Sequence, residues 1–358
     1  MVEANTTNTK MIYRFLGNSG IQVSVLGWGN WINTSNKEEH VKTLELALKS
    51  GVNFFDTAEI YGFGEAETSL GHALKELKVR RESIVVTTKI FKCGLGINDT
   101  MLSRKHIIEG LQNSLKRLQL DYVDVVFCHR YDPRTPIEEV CRAMNYCIEK
   151  GWAHYWSTSE WSGVQIMEAF AVCDKLCLIK PIADQCQYNM MVRNKVENEY
   201  VHLFDNYKYG TTVWSPLFSG ILTGKYKEKV EQGTRLDVFA NESAMHKKTY
   251  LDNKDDWDRK ITELGEIAKG LGYTMPQLAL AWVIRNPNVS VCIMGTSKVQ
   301  QLEENLKAIE LAKLIDSELE AKIEKVLGNA PDMELDWRYF TPLSKRREKL
   351  VSETKFSK

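Results

Sequence analysis

The most restrictive feature of this chain is an alternation of short, apolar, β-prone runs with stretches of helical periodicity. The runs are Val23 to Leu26, Val52 to Phe55, Ile84 to Thr88, Val123 to Cys128, Ala153 to Trp156, Ile182 to Gln185, Thr211 to Trp214 and Val291 to Met294. Between them lie amphipathic segments such as Arg104 to Leu118, where Ile107, Ile108, Leu111, Leu115 and Leu118 share one face and Ser103 stands as N-cap. Strands that alternate with helices imply a parallel sheet, and eight such units predict an α/β fold closed into a (β/α)8 TIM barrel. A doubly wound open sheet is the competing architecture. It is disfavoured because Gly27/Gly29, Gly62/Gly64 and Gly94/Gly96 each lack the third glycine of a dinucleotide fingerprint.

Ahead of the barrel, Tyr13 to Leu16 and Ile21 to Val25 flank Gly17-Asn18-Ser19-Gly20 and predict a β-hairpin. Lys225 to Asp256 is long, charged and poorly periodic, and is expected to be a lid loop after strand seven. The helix Met275 to Arg285 should stop at Asn286-Pro287, where proline cannot continue it. These divisions predict a flexible N-terminus over 1–10, one barrel domain over 11–328 and a polar tail over 329–358. With 358 residues the chain is within the usual range for a single barrel.

Lys+Arg and Asp+Glu each total 47, so a broad nucleic-acid or anionic-membrane surface is not expected. The eight cysteines lack zinc-finger spacing and a compact disulfide pattern, and no metal-ligand cluster is visible. Neither a signal peptide nor a membrane-length apolar run is apparent, so a cytoplasmic protein is expected, with association at a membrane only through a partner.

The chemistry is carried by what ends the runs. Asp56, Lys89, His129, Ser159, Gln185 and Ser215 stand where successive strands finish, and in a parallel barrel those ends converge on the reactive face. Singly, each has an ordinary reading. Asp56 could cap a helix, Lys89 could be an exposed charge, His129 a structural histidine and Tyr61 a loop aromatic. Jointly they fit carbonyl reduction. A phenol titrates near ~10, and an adjacent ammonium lowers that value, so Lys89 would assist Tyr61 as proton donor. Asp56 would anchor Lys89, and His129 would orient the carbonyl oxygen.

Asp56-Thr57-Ala58-Glu59-Ile60-Tyr61-Gly62, Lys89 after Val-Val-Thr-Thr, and His129 after Asp124-Val-Val-Phe-Cys resemble the aldo-keto reductase family. Within it, Phe55 to Tyr61, Leu102 to Val126, Tyr155 to Trp161 and Trp214 to Tyr226 resemble voltage-gated potassium channel β subunits and their plant and microbial relatives. The likeness spans Met11 to Asn329. It implies a catalytic tetrad of Asp56, Tyr61, Lys89 and His129, a small carbonyl substrate and a homotetramer. Three departures stand out. His129 occupies a position where animal β subunits carry asparagine, Glu160 replaces an arginine, and the loop Asn33 to Lys37 is shorter.

Met294-Gly295-Thr296-Ser297 leads from strand eight into a helix carrying Leu302, Leu306 and Ile309, and a helix N-terminus can receive phosphate. An ordinary N-cap at Thr296 or Ser297 is compatible with that role. Trp214 could stack on a nicotinamide ring or fill the core. The resemblance implies NADPH, with Ser159 and Gln185 on the nicotinamide amide and Trp214 on its ring. It likewise implies contacts from Asn30, Trp31, Asp56, Ser215, Pro216, Leu217, Ser219, Gly220 and Gly295. Lys225 and Arg235 would hold phosphates, Ser297 and Gln301 would lie near the 2′-phosphate, and Gln301, Glu304 and Asn305 would contact the adenosine. The expected activity is NADPH-dependent reduction of aldehydes or ketones. The alternative is a regulatory β subunit of a potassium channel that senses cofactor redox state. A Schiff-base lyase using Lys89 is a third, weaker reading.

Overall fold

The computed structural model describes residues 10–31, 36–232, 234–238, 242–296, 298–332, 335–337 and 341–342. Contacts divide the chain into two compact units. The first comprises Met1–Cys186, Glu199–Trp214 and Ser290–Glu303; the second comprises Gln187–Asn198, Ser215–Val289 and Glu304–Lys358.

The first unit begins with the antiparallel hairpin of β1 (Tyr13–Phe15) and β2 (Gln22–Ser24), in which Arg14 lies opposite Val23. There follow β3 (Leu26–Gly29), α1 (Lys37–Lys49), β4 (Phe54–Asp56), α2 (Glu65–Glu76), β5 (Val85–Ile90), α3 (Arg104–Leu118) and β6 (Val123–Cys128). Next come α4 (Ile137–Glu149), β7 (Ala153–Ser159), α5 (Gly163–Leu176), β8 (Ala183–Gln187), α6 (Val201–Tyr207) and β9 (Gly210–Trp214). After an excursion the chain returns as β10 (Val291–Met294), and the eight strands β3 to β10 close in sequence order into one barrel. Every strand pair with a resolved register in that barrel is parallel. The first barrel strand begins at Leu26, not at Val23, because Val23 is already paired in the hairpin.

The helices form for the reasons their residues suggest. In α3 the Ser103 hydroxyl accepts from the His106 N–H at 3.2 Å, a cap that contributes about 1 kcal/mol. Ile107, Leu111, Leu115 and Leu118 are buried on its inner face, each contributing about 1.5–3 kcal/mol by leaving water.

The barrel interior is packed by Phe54, Val85, Val125, Phe127, Ala183, Val291 and Ile293, together with Leu16 and Val23 from the hairpin. The turn that seats the hairpin requires glycine. Gly17 has φ of +59°, and a Cβ there would lie 2.1 Å from the Ile182 carbonyl oxygen and 2.7 Å from the Gly210 nitrogen. Gly17→Ala is therefore expected to destabilise the protein by about 3 kcal/mol, from left-handed strain plus backbone overlap. Chemical denaturation would measure it, and an unchanged midpoint would refute the seating argument.

In the second unit α7 (Arg235–Val238), α8 (Glu242–Asp252), α9 (Lys254–Gly270) and α10 (Met275–Arg285) follow β9. The stretch expected to be a lid loop is thus largely helical beyond Arg235. Its weak periodicity reflects α8, where among residues 244–250 only His246 and Tyr250 are buried, one turn apart. The helix expected after strand eight is divided into α11 (Val299–Leu306) and α12 (Ala308–Leu314), and α13 (Ser317–Leu327) follows. Arg193, almost fully buried, pairs with Glu197 at 2.7 Å and Glu324 at 2.8 Å, while Tyr188 stacks on Trp282. Leu335–Asp336 (β11) pairs antiparallel with Thr341–Pro342 (β12). Among the described residues, no helix is long and apolar enough to cross a membrane.

Candidate active site

Side chains alternate across a strand, so a residue two or four positions beyond an inward-facing core residue also faces inward. Phe54 leads to Asp56, Val85 to Thr87 and Lys89, Phe127 to His129, Tyr155 to Ser159, and Ala183 to Gln185. The polar residues continue the apolar stripes of the core, which places them at the carboxyl end of the barrel.

There they meet. The Lys89 ammonium, fully buried, donates to Asp56 Oδ2 at 2.5 Å, to the Thr57 carbonyl at 2.9 Å and to the Tyr61 hydroxyl at 3.3 Å. Asp56 Oδ1 accepts from the Thr87 hydroxyl at 2.7 Å and from Gln185 Nε2 at 3.1 Å. Tyr61 arrives from the loop after β4 and meets His129 edge to face, with ring centroids 5.7 Å apart. Trp31 stands 6.2 Å from the Tyr61 ring on another side. The four residues of the expected tetrad therefore form one cluster within the first unit.

The electrostatics follow from burial. Desolvation, the largest single influence, disfavours the Lys89 ammonium, but Asp56 and Tyr61 together outweigh it, and the pKa is raised above the usual lysine value. Burial raises the Tyr61 phenol, and the charge of Lys89 opposes that rise without cancelling it. The expectation of a net lowering is thus corrected: the ammonium reduces an upward shift imposed by desolvation. Burial, reinforced by Lys89 and Arg130, pushes the His129 imidazole well below its usual value. His129 is accordingly neutral at pH 7.

Around the cluster, Ser159 donates to the Gln185 carbonyl at 2.9 Å, and Arg130 donates to the His129 carbonyl at 2.6 Å and to the Ser159 hydroxyl at 3.3 Å. Arg130 and Thr87 were not singled out from the sequence. Arg130 directly follows His129, and Thr87 stands two residues before Lys89, so strand periodicity would have found the latter. Trp214 Nε1 donates to Glu160 at 2.8 Å, which fixes the ring's direction and gives Glu160 a role at the rim. Asn30 is buried, donates to the Ala66 carbonyl at 2.5 Å, and its Oδ1 has no hydrogen-bond partner among the described residues. That orphaned acceptor, with the Ser159 hydroxyl, suits the amide of a nicotinamide.

The other residues expected to contact a cofactor have their own settings. Gly295 follows β10; Ser297 lies outside the described residues. Thr296 accepts from Trp28 Nε1 at 3.2 Å, and the Val299 N–H at the start of α11 donates to Glu39 Oε1 at 2.7 Å, so a carboxylate already engages one amide of that helix end. Gln301 is exposed on α11. In the second unit, Ser215 at φ +54° caps Ser219, whose hydroxyl meets His246 at 2.8 Å, and Pro216 and Leu217 join them. Gly220 has φ of +88°, with Lys225 exposed close by and over the Tyr226 ring. Glu304 pairs with Lys307 at 2.7 Å and accepts from Gln277; Asn305 is buried. Arg235 opens α7, and its side chain lies outside what is described.

A family model described as the aldo/keto reductase family matches residues 25–327. The chain belongs to the aldo/keto reductase family. Two relatives sharpen its place among aldo/keto reductases. A probable voltage-gated potassium channel subunit beta of Arabidopsis thaliana is 47% identical over 324 residues, covering 90% of this chain and 98% of that protein. Its namesake in Oryza sativa is 46% identical over 325 residues, covering 90% and 98%. The aldo/keto reductases are oxidoreductases that use NAD(P)H, and the channel-subunit name belongs to those relatives.

Proposed function

We propose that the protein reduces aldehydes or ketones with NADPH, with Tyr61 as proton donor. The observation that carries this is the Tyr61 hydroxyl 3.3 Å from an ammonium that is itself held at 2.5 Å by Asp56. A bound dihydronicotinamide supplies the hydride. Everything else falls to the chain. Tyr61 keeps its proton at neutral pH because burial raises the phenol, so it is loaded as an acid. When the carbonyl oxygen gains negative charge, the phenol gives up that proton, and Lys89 stabilises the phenolate left behind. Asp56 keeps Lys89 charged and aimed. Neutral His129 orients the carbonyl oxygen through a ring N–H, and its neutrality removes competition for the role of acid. Asn30, Ser159, Gln185 and Trp214 would seat the nicotinamide. By family likeness, Ser215 to Gly220, Lys225 and Arg235 would carry the phosphates, and Gln301, Glu304 and Asn305 the adenosine.

NADPH consumption by the purified protein with reactive aldehydes tests the activity directly. Its rate is expected to be flat between about pH 6 and pH 8, because His129 titrates well below ~6.5 and Tyr61 above ~10. A step near pH 6.5 that disappears in His129→Asn would contradict the neutral histidine.

A second reading combines the channel-subunit names of the relatives with the sequence resemblance: a homotetramer that docks on the cytoplasmic part of a potassium channel and reports cofactor redox state. Binding a channel and turning over a carbonyl are compatible. Native mass spectrometry of the protein from its own cells would count subunits, weigh the nucleotide and reveal a channel partner; recovery of a monomer without one would end this second reading.

A further inference from the structure

Three donor side chains that the tetrad does not use come together beside it. Glu59 sits between Asp56 and Tyr61, Cys93 lies just past β5, and His106 is in the first turn of α3. One ligand atom from each lies within 4.8 Å of the other two. His106 Nε2 is 3.0 Å from Glu59 Oε1, and both residues are almost fully buried. Glu59 Oε1 also accepts from the Phe91 N–H at 2.6 Å. The other oxygen, Oε2, is buried and has no hydrogen-bond partner among the described residues. A buried carboxylate oxygen without a partner costs free energy, so its presence calls for an explanation. Glycine at 110 leaves room beside it: a Cβ there would sit 3.0 Å from Oε2 and 3.6 Å from His106 Cε1.

We propose that Glu59, Cys93 and His106 form a binding site for one late first-row divalent cation, zinc being the best match. Imidazole nitrogen, thiolate and carboxylate are the ligands zinc takes, and three protein ligands leave a fourth position for water. Entry is from the Cys93 side, since that residue is only half-buried and the following loop carries the highly exposed Leu95 and Ile97. Binding releases the thiol proton of Cys93 to water and moves the imidazole proton of His106 to Nδ1, leaving Nε2 free to coordinate. The cation would tie the Tyr61 loop to β5 and α3, because the Glu59 N–H already donates to the Lys89 carbonyl at 3.2 Å.

Cobalt(II) and zinc titrations of the purified protein test this. One cation per chain should bind, cobalt should give a sulfur-to-metal absorption band, and zinc should raise the melting temperature. Cys93→Ser should abolish the band and weaken zinc binding by at least about tenfold, since it removes a ligand, while keeping NADPH turnover as proof of folding. Cys177→Ser, at the exposed cysteine elsewhere, should change neither. Absence of the cobalt band in the unaltered protein, undiminished zinc affinity in Cys93→Ser, or equal affinity for magnesium would each overturn the site.

Discussion

Tyr61→Phe is expected to lower carbonyl reduction by about a hundred- to ten-thousandfold, the contribution of a positioned general acid. The substitution removes one oxygen and keeps the ring that meets His129 and Trp31. Lys89 retains its bonds to Asp56 and the Thr57 carbonyl, so stability should change by less than about 1 kcal/mol. NADPH binding, followed by fluorescence, should be unchanged. This separation of rate from binding is the point of the experiment. An undiminished rate would remove Tyr61 from the chemistry, and lost binding would mean the phenol holds the cofactor instead.

Lys89→Met should fail twice. The ammonium is completely enclosed, and its removal leaves the Asp56 carboxylate in the same low-dielectric site with, among the described residues, the Thr87 hydroxyl and the Gln185 amide as partners. Breaking a buried pair from one side costs about 3–5 kcal/mol, because the surviving charge loses its partner without regaining water. Activity should fall as well, since nothing then assists departure of the Tyr61 proton. Adding Asp56→Asn removes the stranded charge, so the double variant should recover much of the stability and none of the activity. Urea midpoints and turnover, measured on the single and double variants, form a cycle that separates the two roles. If the double variant is no more stable than Lys89→Met, the ion pair is not what the site depends on.

The strands and three of the four candidate tetrad residues were readable for the same reason. A barrel strand buried on its inner face must be apolar along an alternating stripe, so a polar residue that extends the stripe is conspicuous: Asp56 after Phe54, Lys89 after Val85, His129 after Phe127. What escaped the reading lacks such a contrast. Val23 and Leu26 belong to one continuous β-prone run, and only pairing with Arg14 reveals that the hairpin claims the former. The helix α8 is hard to recognise because few of its residues are buried. Burial of Tyr61 could not be read from its neighbours in the chain, and with it went the direction of the phenol's pKa. Glu59, Cys93 and His106 come from three separate elements and share no spacing rule, so their meeting exists only in the fold. The engagement of Val299 by Glu39 is of the same kind.

The hairpin that seals the barrel floor has a consequence for traffic. Leu16 and Val23 pack among Phe54, Val85 and Phe127, so among the described residues that end of the first unit's interior is lined by apolar side chains. On the proposed mechanism, a proton given up by Tyr61 would be replaced from the open end, where the substrate would enter. Reprotonation and product departure would then share one exit, and whatever blocked that mouth would halt both.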